Sequence, residues 1–219
     1  MNVMVIAPHA DDEILGCGGT ISKYIDAGYN VHILIVTKGL KPVNGKFQVR
    51  EEAKKLHKFL KTKLIFLDFK TTCLDVTRTA EIAEQIFEEI SKNNIQILFI
   101  PHRGDIHNDH REVFDAALVA SRPVNNNPVK EIYAYETLSE TEWSPPYSSN
   151  VFIPNVFIDI EDCIDLKINA MEYYKSQIKT FPNPRSKKGI IALAQYRGAT
   201  IGVKYAEAFM LIRKIKNTV

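Results

Sequence analysis

A histidine and a run of carboxylates, Pro8-His9-Ala10-Asp11-Asp12-Glu13, follow the short apolar stretch Val3-Met4-Val5-Ile6-Ala7. Imidazole and carboxylate together suit zinc, and an open zinc site takes about three protein ligands and a water. The spacing from His9 to Asp12 allows both side chains to converge on one ion across a turn. Asp11 is then free to act as a base on the water. A second reading needs no metal. Asp11 and Asp12 can cap the helix that follows, because a helix N-terminus presents unpaired amides and the positive end of its dipole. A single short motif does not separate the two.

The same residue types return far down the chain in Pro101-His102-Arg103-Gly104-Asp105-Ile106-His107-Asn108-Asp109-His110-Arg111. His107 and His110 stand at i and i+3, neighbours on one face if a helix starts here. Helical apolar spacing continues through Val113, Phe114, Ala117 and Leu118. A ligating histidine needs its other ring nitrogen held, often by a carboxylate, and Asp105 and Asp109 are available for that. Two clusters rich in His and Asp, each after an apolar run, favour chemistry over coincidence.

The elements that must position these groups read as follows. Residues 3–7 suit a buried strand, since the run is apolar, rich in branched side chains and ended by Pro8. Residues 14–28 suit a helix with Gly28 near its stop. Further strands are expected at 31–36, 64–67 and 95–100. Helices are expected from Val49 and over 79–92, the latter with Ile82, Ile86 and Ile90 on one face. This alternation predicts an α/β fold: a Rossmann-like, doubly wound, mostly parallel sheet with helices on both faces. In such sheets ligands bind outside the carboxyl ends of the strands, and both clusters lie there. Gly16, Gly18 and Gly19 do not form a Gly-x-Gly-x-x-Gly phosphate loop, and close packing of helix on sheet is the better reading of them. His32 inside the second strand reads as a satisfied or edge histidine.

Two loops could reach over the site, 37–48 and 137–150; the latter, with Trp143, Pro145 and Pro146, suits a lid or an oligomer contact. Arg50 either pairs with nearby Glu on the surface or donates from the rim to a substrate's hydroxyls. Residues 130–136 and 155–160 read as strands. Residues 161–179 read as an amphipathic helix burying Ile164, Ile168, Met171 and Tyr174. A last helix is expected near 202–214. Just before it, Tyr196 could donate to an oxyanion and Arg197 could bind substrate; a packed tyrosine and a surface arginine is the alternative. No repeat, low-complexity tract or linker interrupts residues 1–219, which predicts a single domain.

Composition narrows the partners. Of 219 residues, 45% are hydrophobic and 25% charged, as in ordinary globular proteins. The net charge of +2 comes with no long basic block, which argues against nucleic acid and anionic membrane. No apolar run approaches the roughly 20 residues of a membrane span. Cys17, Cys73 and Cys163 form no Cys-x-x-Cys pair. They argue against a disulfide framework and for a reducing, cytoplasmic setting, as does the absence of a secretory segment before the first strand.

With both clusters in view, the sequence resembles the LmbE-like (PIG-L) deacetylase superfamily, whose members remove acyl groups, mostly acetyl, from amino sugars. The first motif of that family stands here as Pro8-His9-Ala10-Asp11-Asp12-Glu13, with Ala10 in place of the usual Pro. Its His-x-Asp-His motif stands as His107-Asn108-Asp109-His110. Residues 196–209 also resemble the family's C-terminal tail, so the likeness covers nearly the whole chain. The resemblance implies zinc on His9, Asp12 and His110, and Asp11 as general base. It implies that His107 acts on the tetrahedral intermediate as acid or electrostatic stabiliser, oriented by Asp109, and that Arg50 grips the sugar. The expected function is zinc-dependent removal of an N-acetyl group from an amino sugar or its conjugate. Two rivals remain. A metallo-phosphoesterase would want two metals and more bridging carboxylates. A non-catalytic nucleotide- or sugar-binding module would carry a fuller glycine fingerprint.

Overall fold

In the computed structural model, which describes residues 1–40, 47–124 and 126–216, the first strand divides two hydrophobic layers. Successive side chains of a strand point to opposite faces. In β1 (Asn2–Ala7), Val3, Val5 and Ala7 therefore enter one core, while Met4 and Ile6 enter the other. Residues 3–7 are all buried. At about 1.5–3 kcal/mol for each fully buried large aliphatic side chain, this strand alone is a strong organising element.

Among the described residues seven strands form one sheet in the order β3-β2-β1-β4-β5-β7-β6. They are β1, β2 (Asn30–Thr37), β3 (Lys63–Phe69), β4 (Ile97–Pro101), β5 (Glu131–Tyr135), β6 (Val156–Asp159) and β7 (Ala206–Lys214). The first five pair in parallel, with Val3 opposite Val31 on one side and Ile97 on the other. β7 runs antiparallel to both β5 and β6. The core on the Val3 face takes side chains from α1 (Asp12–Asp26), α2 (Gln48–Leu60) and α5 (Ile164–Tyr173). The opposite core takes them from α3 (Thr79–Lys92) and α4 (Asn108–Ala120). The expected mostly parallel sheet with helices on both faces is thus observed.

The glycines of α1 serve packing. A Cβ at Gly16 would lie 2.3 Å from Cδ2 of Tyr135 on β5, and one at Gly19 would lie 2.5 Å from Cγ2 of Ile160. No substituent fits at either position, so the helix presses directly on the sheet. Cys17 is fully buried beside them, and burial pushes its thiol up, which makes it a packed residue.

Two expectations fail near the C-terminus. The helix expected near 202–214 is the strand β7, and the helix of this region lies earlier, at α6 (Lys187–Ala199). The start of β7 is covered on both faces, so Ala206, Glu207, Ala208 and Phe209 are all buried and no alternation is left to read. The signal for α6 was its cap: the Ser186 hydroxyl accepts the Gly189 N–H at 3.1 Å. The helix expected over 161–179 is shorter. A 3₁₀ turn at Glu161–Cys163 leads into α5, which ends at Tyr173. Ile164, Met171 and Tyr174 are buried as expected, Ile168 is only partly buried, and Lys167 is buried as well. Residues 41–46 of the loop expected at 37–48 lie outside the described residues.

Candidate metal centre

The chain leaves β1 for β2 on one side and later returns through β4 on the other, so β1 and β4 flank the topological switch point of the sheet. In open α/β sheets ligands bind at such a point, outside the carboxyl ends of the strands. The turn after β1 is pinned to β2, because the Thr37 N–H and hydroxyl both donate to the Pro8 carbonyl, at 3.1 and 2.8 Å. His9 follows that turn, Asp12 opens α1, and His107 and His110 flank the start of α4 beyond β4.

The ligand atoms of His9, Asp12 and His110 all lie within 4.8 Å of one another, and so do those of His9, His107 and Asp109. Hydrogen bonding separates the two groups. Asp109 Oδ2 accepts from the Thr72 N–H at 2.8 Å and lies 3.0 Å from His9 Nε2, while its Oδ1 accepts from the Leu74 N–H at 3.1 Å. In the first group, Asp12 Oδ1 is buried without a hydrogen-bond partner among the described residues. Asp12 Oδ2 accepts the His9 N–H at 2.9 Å and lies 3.3 Å from His9 Nδ1 and 3.2 Å from His110 Nε2. The latter contact is not aligned as a hydrogen bond, so His110 Nε2 is also left unsatisfied. Buried polar atoms are seldom left so. A divalent cation among His9, Asp12 and His110 would satisfy them, and the donor set suits zinc.

The outer partners agree. His110 Nδ1 lies 2.8 Å from Asp105 Oδ2, and Asp105 Oδ1 accepts from the Thr141 hydroxyl at 2.6 Å. With His110 Nδ1–H given to Asp105, Nε2 is the nitrogen left for a cation, which would take the place of its proton. Burial works against charge at His9, but hydrogen bonds to Asp109 and Asp12 carry its pKa to about 9. Burial also opposes charge at His110, yet Asp12 and Asp105 raise it above the usual range. Burial pushes Asp12 up, and His110 and His9 outweigh it, so this carboxyl stays ionised well below the usual range. The negative charge that draws protons to these imidazoles would draw a cation equally.

Asp11 occupies the N-cap position of α1 but makes no side-chain cap bond, which disposes of the capping reading for it. Its φ of 123° is unusual for a residue with a side chain. The Asp11 N–H donates to Glu13 Oε2 at 3.0 Å, and Glu13 Oε1 in turn accepts the Tyr174 hydroxyl at 2.5 Å and lies 3.2 Å from His57 Nε2. The Asp11 carboxylate meets Arg185 Nη1 at 3.1 Å. Burial, together with Asp12 and Glu13, pushes Asp11 up to about 8 against the pull of Arg185. At the other side His107 caps α4, its Nδ1 accepting the Asp109 N–H at 3.1 Å. Burial, then the neighbouring His9, pushes His107 down to about 4. A neutral His107 therefore carries its proton on Nε2. Asp109 reaches His107 through its amide, while its carboxylate faces His9.

Three sequence-chosen residues have other partners. Arg50 donates Nη1 to Asp68 at 2.7 Å and Nη2 to the Leu67 carbonyl, and its guanidinium lies 4.3 Å over the Phe66 ring, all on β3. Arg197 grips Glu136 with two bonds, of 2.8 and 2.6 Å. The pair lines a cavity of about 280 Å³ with Phe152, Leu193 and Pro145. Tyr196 is 61% exposed, with the Arg197 guanidinium 5.2 Å over its ring. Sequence reasoning missed Arg185, Thr141 and Tyr174. Arg185 and Thr141 have no periodic or motif signature, and the periodicity at Tyr174 marks burial and not its bond to Glu13; each arrives from a loop or helix end distant in the chain.

Fold and site define an α/β protein with a His/Asp centre at the switch point of its sheet. The GlcNAc-PI de-N-acetylase (PIG-L) family matches residues 4–121. Diacetylchitobiose deacetylase of Thermococcus kodakarensis is 30% identical over 228 residues, covering 96% of this chain and 82% of that protein. The probable N-acetyl-alpha-D-glucosaminyl L-malate deacetylase 2 of Bacillus cereus is 31% identical over 191 residues, covering 80% and 83%. The structure of N,N'-diacetylchitobiose deacetylase from Pyrococcus horikoshii shares the fold, with a TM-score of 0.77 at 23% identity, over 97% of this chain and 84% of that one. The chain belongs to the PIG-L family, as its two motifs imply.

Proposed function

We propose that this protein is a zinc-dependent hydrolase that removes an N-acetyl group from an amino sugar or amino-sugar conjugate. The observation that carries this reading is the convergence of His9, Asp12 and His110 with unsatisfied buried ligand atoms beside the Asp11 carboxylate. The deacetylases among its relatives support it. His9, Asp12 and His110 would hold the ion, which when bound supplies a Lewis acid for the amide carbonyl and lowers the pKa of the attacking water. Asp11 takes a proton from that water as its oxygen bonds to the acetyl carbon. His107, with its proton on Nε2, donates a hydrogen bond to the developing oxyanion. Asp11 then passes its proton to the leaving nitrogen as the C–N bond breaks, leaving acetate and a free amine. Arg50, Tyr196 and Arg197 are proposed to contact the sugar.

We further read residues 1–219 as one domain working in the cytosol, a setting that suits three unpaired cysteines. No helix among the described residues is long and apolar enough to cross a membrane. The test is metal analysis of the purified protein together with acetate release across a panel of acetylated amino sugars. One zinc per chain with acetate release is expected. Two metals with phosphoester cleavage would favour a phosphoesterase, and neither metal nor turnover would leave a binding module.

A further inference from the structure

Asp11 is held at both ends. Its backbone, in a conformation that side chains rarely adopt, is tied to Glu13 through the N–H, and Glu13 is itself anchored by Tyr174. That fixes the main chain but leaves the carboxylate free to turn about its own bonds. Arg185 Nη1 removes this freedom by holding Asp11 Oδ2 at 3.1 Å. The guanidinium is fixed in turn by partners from other directions. Its Nε donates to Ser139 Oγ at 2.7 Å, Nη2 to Glu140 Oε1 at 3.3 Å, and Nη1 also to Gln177 Oε1 at 3.4 Å. Ser139 and Glu140 follow β5, and Gln177 follows α5. On its own chain Arg185 stands beside the anchored start of α6, with its N–H donating to Asn183 Oδ1 at 2.9 Å and Ser186 capping the helix.

We propose that Arg185 is a positioning residue for the hydrolysis, acting through the Asp11 carboxylate and strapping the loops after β5 and α5 to the turn that carries it. The proposal rests on the reading of Asp11 as the base. A guanidinium is a planar fork with donors in fixed directions and does not lose its proton in a protein. It therefore neither acts as the base nor supplies the proton; it sets where the carboxylate points. A lysine ammonium could supply the charge but cannot engage Asp11, Ser139 and Glu140 from one rigid plane.

The test compares Arg185→Gln, Arg185→Lys and Arg185→Ala with the wild type, using an acetylated amino sugar that the wild type turns over. Bound zinc, melting temperature, kcat and KM are read for each. We expect full zinc and a near-native melting temperature in the Gln and Lys variants. Their kcat should fall by about 100-fold, the lower range for a mispositioned base, with little change in KM. Millimolar guanidinium should restore kcat in Arg185→Ala, saturably, without stimulating the wild type. A raised KM with unchanged kcat would make Arg185 a substrate contact and overturn the proposal. Loss of zinc along with kcat would overturn it too, by making the strap a support for the ligands. If Arg185→Ala does not fold, Arg185→Lys decides, and a normal kcat there defeats the need for the fork. A wild type that releases no acetate from any sugar overturns the hydrolase reading and this proposal together, whereas an active wild type with unaffected variants overturns this proposal alone.

Discussion

Asp11 and Asp12 are adjacent in sequence, and their surroundings separate them. Asp12 lies between His9 and His110, which keep its charge; Asp11 lies among carboxylates in a buried pocket and is pushed up to about 8. Two carboxylates driven apart in this way suit the two tasks proposed for them, one holding a cation and one moving a proton. Asp11→Asn is therefore expected to keep zinc and fold while kcat drops by at least about 100-fold, since Asn cannot take a proton as a carboxylate does. Zinc content and steady-state kinetics check this, and loss of zinc would make Asp11 a ligand. His110→Ala should behave oppositely, remaining folded but losing most of its zinc on dialysis. Full occupancy in a folded His110→Ala protein would remove that residue from the centre.

At the scale of elements, α1 positions the centre because it sits directly on the sheet. Replacing an exposed helix glycine by alanine gains about 1 kcal/mol. At Gly16 the added carbon would meet the ring of Tyr135, which is fully buried and donates its hydroxyl to the Ile6 carbonyl at 2.9 Å. The ring has nowhere to go, and overpacking of this kind costs about 1–3 kcal/mol. Gly16→Ala is thus expected to destabilise the protein on balance, as a lower denaturation midpoint in urea. A midpoint equal to or above the native one would show that the helix can lift from β5. The long-period elements, α3 above all, were legible in the sequence because Ile82, Ile86 and Ile90 repeat at four and all three are fully buried. β7 was not legible, because its first four residues are covered on both faces and leave no alternation to read.

For the whole molecule, the C-terminal third is joined to the first helix by a buried ion pair. Lys167 of α5 donates to Glu207 of β7 at 2.6 Å and to the Leu15 carbonyl of α1 at 2.8 Å. Glu207 also accepts the Gly19 and Thr20 N–H groups, at 2.9 and 2.7 Å. Removing one partner of such a pair leaves a buried charge alone and costs about 3–5 kcal/mol. Lys167→Met should lower stability by that order, and Lys167→Met combined with Glu207→Gln should cost less than the sum of the single changes. Equilibrium unfolding of all four proteins measures the coupling, and strict additivity would show that the pair does not act as a unit.

The sequence by itself determined where the proposed chemistry lies. His9, Asp11, Asp12, His107, Asp109 and His110 stand just past two strands whose apolar runs mark them as buried, and a parallel sheet brings such strand ends to one edge. Only the tertiary structure decided which group serves which. It set Asp109 against His9 and Asp105 against His110, laid the Arg50 side chain of α2 against β3, and brought Arg185 to Asp11 across most of the chain's length. The reason is physical. Local spacing governs hydrogen bonds and turns within a few residues. A long polar side chain that leaves a loop carries no periodicity, so its partner is set by how the packed elements bring distant loops together.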